Sequence, residues 1–269
     1  MNNRNLCLLV IVSLLSMVSC EKSEHHIIDL NPLETFKESD APTEYLHENI
    51  NFKSPWGYEK ADNTSRKYPL LVSGMWGEGS KQYQSVAQKY PAFVIDYPKK
   101  SANDGQALAQ WIKSAIQSGY RIDLNRIYLT GFSYGGSSSY PLSKGMANEN
   151  IYFAAIIRIA GQSQPDIANE IAQQTAVWYH IGLSDTGTRV KVARNALEYM
   201  RNYACNTRAV ETTNSDNITG YKRTTITLSR SGFSMFKYSE YTGMGHTSGP
   251  CYTDKSIFTW LFNHSLEYR

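Results

Sequence analysis

The chain has no long apolar run in its interior. After the first twenty residues, no stretch of 18 or more consecutive apolar residues occurs, whereas a helix needs about 20 such residues to cross a bilayer. A multi-span membrane protein is therefore excluded. The charge is nearly balanced, with 27 basic and 24 acidic residues and a net charge of +3. Without a long basic run, charge gives no indication of nucleic-acid binding.

Motifs for metals and nucleotides are also missing. The sequence contains no C-x-x-C, no H-E-x-x-H and no dense cluster of His and Asp, so zinc is not expected. It has neither a P-loop nor a G-x-G-x-x-G after a first strand, which argues against a nucleotide cofactor. We therefore expect neither a metal nor a cofactor.

The composition is that of a globular protein. Hydrophobic residues make up 41% and charged residues 19% of the 269 residues, which argues against wholesale disorder. No linker divides 41–269, so we predict one domain there. The 19 Tyr residues outnumber the 9 Phe residues. Such Tyr residues either contact sugars and other amphipathic ligands or fill strands.

The first twenty residues have the pattern of an export signal. Arg4 precedes an apolar run, 6–18, that is too short to span a bilayer comfortably. The run ends in Met17-Val18-Ser19-Cys20, which resembles a lipobox, so Cys20 is the candidate for lipidation. The alternative is an ordinary signal peptide cleaved nearby. Either way we expect an exported protein, anchored by acyl chains if Cys20 is lipidated, with 21–40 as a flexible tether.

Only two cysteines remain in the predicted domain. Cys7 belongs to the signal and Cys20 to the anchor, which leaves Cys205 and Cys251. Two thiols in an exported chain favour a disulfide. Two separate buried thiols are the alternative.

Strand and helix patterns alternate along the domain. Short apolar runs predict strands, and apolar residues at helical spacing predict helices. The predicted strands are 68–72, 92–96, 126–130, 153–159, 176–180, 222–228 and 234–241, and the predicted helices are 104–118, 190–200 and 257–261. This order predicts an α/β fold with a mainly parallel central sheet and helices on both faces. The polar stretch 211–220 is predicted to be a loop or a small insertion.

One pentapeptide, 131–135, carries chemistry. It reads Gly-Phe-Ser-Tyr-Gly and follows a predicted strand. A G-x-S-x-G at a strand end places its Ser on a sharp turn into a helix. Ser133 is then the candidate nucleophile, and the backbone N–H of Tyr134 is aimed at the developing oxyanion.

A serine nucleophile needs a base, and the base needs an acid. In this type of fold the acid and then the His follow the Ser along the chain. Asp185 comes just after the strand at 176–180, and His246 follows the last predicted strand in a Gly-rich loop. The rejected candidates, which lack this placement, are His25, His26, His47, His180, His264, Asp166 and Asp216. His180 is expected instead to be a packed, hydrogen-bonded residue.

These segments resemble the α/β-hydrolase superfamily, and in particular feruloyl esterases, acetyl-xylan esterases and polyhydroxybutyrate-depolymerase-like enzymes. The resemblance rests on 125–136, 178–185 and Gly245-His246, and it covers roughly 50–264. It implies a single α/β-hydrolase domain with Ser133, Asp185 and His246 as nucleophile, acid and base. The segment 202–205 also resembles a Cys region of the depolymerase-like members.

The sequence departs from this family in two places. Gly74-Met75 stands where the family has a His-Gly pair, whose backbone N–H completes the oxyanion hole. The second oxyanion donor is therefore the N–H of Met75 or that of Trp76. Pro141 lies in the helix after the nucleophile and predicts that this helix kinks or ends early.

The expected function is hydrolysis of carboxylic esters, with acetyl or feruloyl groups on plant polysaccharides or their fragments as the favoured substrates. Trp76, Tyr97 and Tyr134 lie near predicted strand ends, where they either stack on the substrate or pack internally. Peptidase, lipase and polyester depolymerase activities stay open because one triad serves them all. Two further alternatives are a binding lipoprotein that has lost catalysis and a structural lipoprotein with an accidental Ser motif.

Overall fold

A computed structural model describes residues 36–59, 65–162, 169–204 and 209–268. The predicted signal, Cys20, Cys205 and most of the predicted tether lie outside these ranges. The last residues of the predicted tether pack on the domain. The Phe36 ring lies 5.9 Å from that of Trp56, and the Asp40 carbonyl accepts a hydrogen bond from the Gly57 N–H. The folded unit therefore begins before residue 41.

One ten-stranded sheet forms the centre of the described chain. Its strands are β1 (Glu44–His47), β2 (Ile50–Lys53), β3 (Tyr68–Ser73), β4 (Phe93–Asp96), β5 (Ile122–Phe132), β6 (Ala155–Ile159), β7 (Ala176–Gly182), β8 (Val210–Ile218), β9 (Tyr221–Arg230) and β10 (Phe233–Tyr241). They lie in the order β1-β2-β4-β3-β5-β6-β7-β10-β9-β8. The strands from β4 to β10 in this order pair in parallel, and antiparallel strands flank them.

Seven α-helices accompany these strands among the described residues. They are α1 (Glu78–Tyr83), α2 (Ala102–Gln117), α3 (Tyr134–Ala147), α4 (Asn169–Gln174), α5 (Gly187–Tyr199), α6 (Gly249–Tyr252) and α7 (Ser256–Phe262). The helices predicted at 104–118, 190–200 and 257–261 correspond to α2, α5 and α7. All seven predicted strands are present as well.

Helices cover both faces of the sheet, as predicted. Neighbouring residues of a strand point to opposite faces. In β7, Trp178 packs edge-on against Trp260 of α7, with ring centroids 5.4 Å apart. The next residue, Tyr179, lies 5.0 Å from the guanidinium of Arg158, which in turn covers Tyr140 of α3. Helices α7 and α3 therefore sit on opposite faces.

Two local predictions are wrong. The segment Glu211–Gly220 is not a loop, because its residues up to Ile218 belong to β8, which pairs in register with β9, and only Thr219 and Gly220 form the turn between the two strands. Its polar sequence reflects its position at the sheet edge, where almost all its side chains are exposed. The expectation that Pro141 ends the helix early is wrong, since α3 continues to Ala147, whereas the alternative of a kink stays a prediction. Beyond the proline, α3 packs against α2 at Leu142 and Gly145.

Helices α2 and α3 cross at unusually short range. A Cβ on Gly145 would lie 1.8 Å from the Ala102 carbonyl oxygen, and one on Gly105 would lie 2.2 Å from that of Leu142. Only glycine lets the two backbones approach so closely. Each helix thus contributes one glycine to the contact.

Replacement of Gly145 by Ala is expected to lower the free energy of unfolding by about 3 kcal/mol, because the added methyl group forces the helices apart. The better helix propensity of Ala, worth about 1 kcal/mol, does not offset this. Urea unfolding followed by circular dichroism measures the change. The control is Gly187→Ala, where the new Cβ meets nothing within 4 Å. Equal losses in the two variants would contradict the close crossing.

Candidate active site

Ser133 lies on the sharp turn between β5 and α3. Its backbone has φ 53° and ψ −109°, a conformation that is strained for a residue with a side chain. The Ser133 N–H donates to the carbonyl of Ile159 on the neighbouring strand, with N and O 2.9 Å apart. This bond anchors the turn at the carboxyl end of the sheet.

Close packing around the turn requires glycine. A Cβ on Gly131 would lie 2.4 Å from the carbonyl carbon of Gly135, and one on Gly136 would lie 2.6 Å from the Ile159 oxygen. Gly135 itself faces the segment after β3, since its Cβ would lie 3.0 Å from the backbone nitrogen of Met75. The G-x-S-x-G-G sequence therefore matches the tertiary contacts of the turn.

The three residues predicted to act together do meet in space. The Ser133 hydroxyl donates to Nε2 of His246, with a distance of 2.9 Å. Nδ1 of the same ring donates to Oδ2 of Asp185 at 2.6 Å. These directions apply to the tautomer that carries its proton on Nδ1. The arrangement suits a His that withdraws a proton from the serine while a carboxylate orients the ring.

Asp185 is held as a carboxylate. Its side chain is only 1% exposed. Burial alone would raise the pKa of Asp185, but hydrogen bonds from His246, the Thr186 backbone N–H and Arg189 outweigh burial and hold the pKa below its ordinary value. The carboxylate is therefore ionised at neutral pH and available to stabilise a positively charged His246.

Two loops that carry the acid and the base are joined by their backbones. The Leu183 N–H donates to the Tyr241 carbonyl, and the Ser184 N–H donates to that of Met244, both at 2.9 Å. Gly182 makes this contact possible, because a Cβ there would lie 2.2 Å from the Met244 oxygen. The Asp185–His246 distance thus depends on a glycine at 182.

We expect Gly182→Ala to lower kcat by roughly 100-fold, since a shift of about 1 Å between reacting groups has an effect of that size. Steady-state kinetics with an activated ester measures it. Gly245→Ala is the matched control, because a Cβ at this neighbour of His246 meets nothing within 4 Å. Similar kcat values in both variants would show that the contact at Gly182 does not set the geometry.

His180 lies next to the site but does not belong to it. As the sequence predicts, it is buried, and its Nδ1 is 3.0 Å from the Tyr241 hydroxyl. Burial, together with the nearby charges of Arg223 and Lys237, places the pKa of His180 well below its ordinary value. The ring is therefore neutral and supports β7 and β10 by packing.

The residues predicted for the oxyanion hole are Tyr134 and the pair Met75 and Trp76, which come close to the 134–135 segment. Tyr134 is the first residue of α3, so its N–H lies at a helix N-terminus. Met75 has its nitrogen beside Gly135. Trp76 has a left-handed φ of 72° and a side chain that is 57% exposed. Its ring lies 6.3 Å from that of Tyr134.

Tyr97 follows β4 and is held in place by its hydroxyl group. It is buried, and its hydroxyl donates to the Asp104 carbonyl at 2.9 Å. Tyr97 also lines a large groove at the edge of the sheet, so its predicted contact with substrate stays a prediction. Trp76 and Tyr134 remain the aromatic candidates beside Ser133.

Cys251 is buried and forms no disulfide within the described ranges. Burial raises the pKa of its thiol form to about 12, so a thiol here is protonated at neutral pH. Its predicted partner Cys205 lies outside the described residues, and the disulfide stays a prediction.

Three contributors to the site were missed by the sequence analysis. Arg189 binds Asp185 at 3.0 Å, and its i+4 position on a helix beginning at 187 was a usable signal. Glu78 accepts a hydrogen bond from Ser248 and so links the segment after β3 to the His246 loop. Lys100 places its Nζ 4.6 Å from the ring centroid of Tyr134. The last two contacts join distant segments and had no local signal.

Across the described ranges, no group of three or more His, Cys, Asp or Glu side chains is arranged to hold a metal ion. None of the helices in those ranges is both long and apolar enough to span a bilayer.

Comparison with known proteins identifies the fold. No family model matches the chain. The chain is 24% identical over 205 residues to a bifunctional acetylxylan esterase/xylanase from Neocallimastix patriciarum, and this match covers 69% of the chain but only 30% of that longer protein.

Solved esterase structures are similar over most of the chain. An acetyl xylan esterase from Aspergillus awamori matches with a TM-score of 0.57 at 16% identity, covering 82% of this chain and 99% of that one. A ferulic acid esterase from Anaeromyces mucronatus matches with a TM-score of 0.52 at 12% identity, covering 87% and 93%. The chain thus has the α/β-hydrolase fold, and the predicted resemblance to feruloyl and acetyl-xylan esterases is confirmed.

Proposed function

We propose that this protein is a serine esterase that forms an acyl-enzyme on Ser133. The observation that carries the proposal is the continuous hydrogen-bonded chain from Ser133 through His246 to Asp185. The similarity to esterases of the same fold supports it. A binding protein that had lost catalysis would have no need to keep all three side chains in bonding distance.

Each residue has one task in the proposed reaction. The Ser133 oxygen attacks the ester carbonyl carbon while His246 takes its proton, and Asp185 stabilises the resulting imidazolium. The N–H groups of Tyr134 and Met75 donate to the tetrahedral oxyanion. We choose Met75 over Trp76 because its nitrogen lies beside Gly135.

The intermediate then collapses. His246 gives its proton to the leaving alkoxide, which departs as the alcohol and leaves an ester on Ser133. Water attacks the carbonyl carbon of this ester while His246 takes a proton from the water. His246 then returns the proton to the Ser133 oxygen as the bond between that oxygen and the acyl carbon breaks, which releases the acid and restores the Ser133 hydroxyl.

The substrates we propose are acetyl or feruloyl esters on plant polysaccharides or their fragments. The relatives named as acetylxylan and ferulic acid esterases support this class. The exposed Trp76 and the neighbouring Tyr134 offer aromatic surface for a sugar ring or an aromatic acyl group.

The decisive experiment compares acetylated xylan, methyl ferulate and p-nitrophenyl esters of increasing chain length, alongside labelling by a fluorophosphonate probe. Labelling with release of acetate or ferulate supports the proposal. Labelling with hydrolysis of long-chain esters alone would assign a lipase-like activity. No labelling at all would identify a binding protein on this fold.

We also propose export and anchoring through a lipid on Cys20. The support is the apolar run 6–18 followed by Met17-Val18-Ser19-Cys20. Metabolic labelling with palmitate in a bacterial host tests it, and Cys20→Ala should abolish both the label and partition into detergent. A wild-type chain cleaved without acquiring lipid would support the ordinary signal peptide instead.

A further inference from the structure

A large groove lies outside the triad, at the edge of the sheet where β2 pairs with β4. Its volume is about 1050 Å³, and its lining includes Asn51, Lys53, Trp56, Lys81, Gln84 and Asp96. Neither Ser133 nor His246 lines it. Ligand pockets for whole small molecules measure roughly 300–1,000 Å³, so the groove is much larger than an acyl group needs.

The floor of the groove is one face of β2 and β4, and the lining combines polar side chains with apolar ones such as Val94 and Ala87. Phe52 of β2 points to the opposite face, where its ring lies 5.6 Å from that of Trp111 on α2. Because side chains alternate along a strand, Asn51 and Lys53 point into the groove. Lys53 pairs in register with Val94 of β4.

The chemistry of the lining suits a neutral chain rich in hydroxyl groups. Amide side chains donate and accept hydrogen bonds, ammonium groups donate and carboxylates accept. A sugar hydroxyl group can therefore both donate and accept hydrogen bonds in this groove. Trp56 adds an aromatic surface for an apolar ring face. Lys53 pairs with Glu44 at 3.8 Å, and the lining contains carboxylates as well as lysines, so the charges do not favour an anion alone.

The groove ends near the strand that leads to Ser133. Asp96 at the end of β4 pairs with Ser73 of β3, which pairs with Thr130 of β5. Two strand spacings, about 10 Å, therefore separate the end of the groove from the strand that leads to Ser133. Lys99 lines the groove, and the next residue, Lys100, covers Tyr134.

We infer that this groove binds the sugar backbone of the esterified polysaccharide while the ester group reaches Ser133. The inference rests on the proposed esterase function and adds a second, extended binding site to it. Polymeric substrates gain contacts there that small esters do not make. The groove therefore sets a preference for esters on polymers.

A bulky residue in the groove tests this inference. Gln84 is exposed and lines the groove, whereas Gln82 is equally exposed but does not line it. We expect Gln84→Trp to lower the ratio of kcat/KM on acetylated xylan to kcat/KM on p-nitrophenyl acetate by about tenfold, mainly through KM. Gln82→Trp should leave this ratio unchanged.

Binding of deacetylated xylan, followed by affinity electrophoresis, gives a readout that needs no catalysis. If xylan in the gel slows the migration of the wild type and of Gln82→Trp but not that of Gln84→Trp, the groove is a polysaccharide-binding site. This result would stand even if the protein did not hydrolyse esters. Equal behaviour of the two variants in both assays overturns it, including the case in which a second copy of the chain fills the groove. If the protein is an active esterase and Gln84→Trp leaves the ratio of the two kcat/KM values unchanged, the proposed function stands and the groove is not a binding site for the polymer.

Discussion

The Ser133→Ala variant is expected to lose esterase activity by a factor of about 10⁴–10⁶ in kcat, because removal of the attacking oxygen leaves only the oxyanion hole and binding to act. Covalent labelling by a fluorophosphonate should vanish with it. Steady-state hydrolysis of p-nitrophenyl acetate measures the loss, and gel fluorescence measures the labelling.

Ser143→Ala is the matched control on the same helix. Its hydroxyl donates to the Ser139 carbonyl, so its removal should affect stability by about 1 kcal/mol and leave kcat within a factor of two. If Ser133→Ala retained more than a few per cent of wild-type activity, Ser133 would not be the nucleophile, and the proposed function would lose its basis.

Replacing Asp185 by Asn should lower kcat by about 10⁴. The amide NH₂ donates to Nδ1 of His246, so the imidazole must carry its proton on Nε2. Nε2 then cannot accept the Ser133 proton. The side chain keeps its size, which separates this effect from a loss of packing.

Asp216→Asn is the control for that variant, since Asp216 pairs with Arg223 away from the triad. It should keep kcat within a factor of two. If Asp185→Asn stayed within tenfold of the wild type, the acid of the triad would have to be sought among other residues.

The effect of Asp185→Asn on stability depends on pH. The pKa of Asp185 is lower in the folded protein than in the unfolded chain, so its carboxylate stabilises the fold above the unfolded pKa. This contribution is lost as the pH falls through the lowered pKa. The difference in Tm between the wild type and Asp185→Asn should therefore shrink on acidification through that range.

Chain order and local pattern were sufficient to single out Ser133, Asp185 and His246, which lie within hydrogen-bonding distance in the structure. The G-x-S-x-G sequence after a strand, an Asp after the next-but-one strand and a His after the last strand each lie at the carboxyl end of a strand. In a parallel sheet these ends share one edge. Residues that directly follow such strands in the sequence are therefore close together in space. The same logic found β3 to β7, because buried strands are short, continuous apolar runs.

Local pattern failed where the cause lay elsewhere in the chain. The polar segment at 211–220 became β8 because β9 offered it a partner, and an exposed edge strand carries no apolar signal. Helix α3 continued past Pro141 because glycines at 105 and 145 let α2 support it at short range.

The sequence by itself determined most of the buried strands, the turn at Ser133 and the selection of Ser133, Asp185 and His246 as candidates, since each of these predictions rests on the local pattern around one segment. Only the tertiary structure decided which groups surround them. Arg189 on Asp185, the Glu78–Ser248 link and the groove beside β2 and β4 arise from segments that are distant in sequence. Such contacts form when the sheet brings those segments together, and no local spacing encodes them.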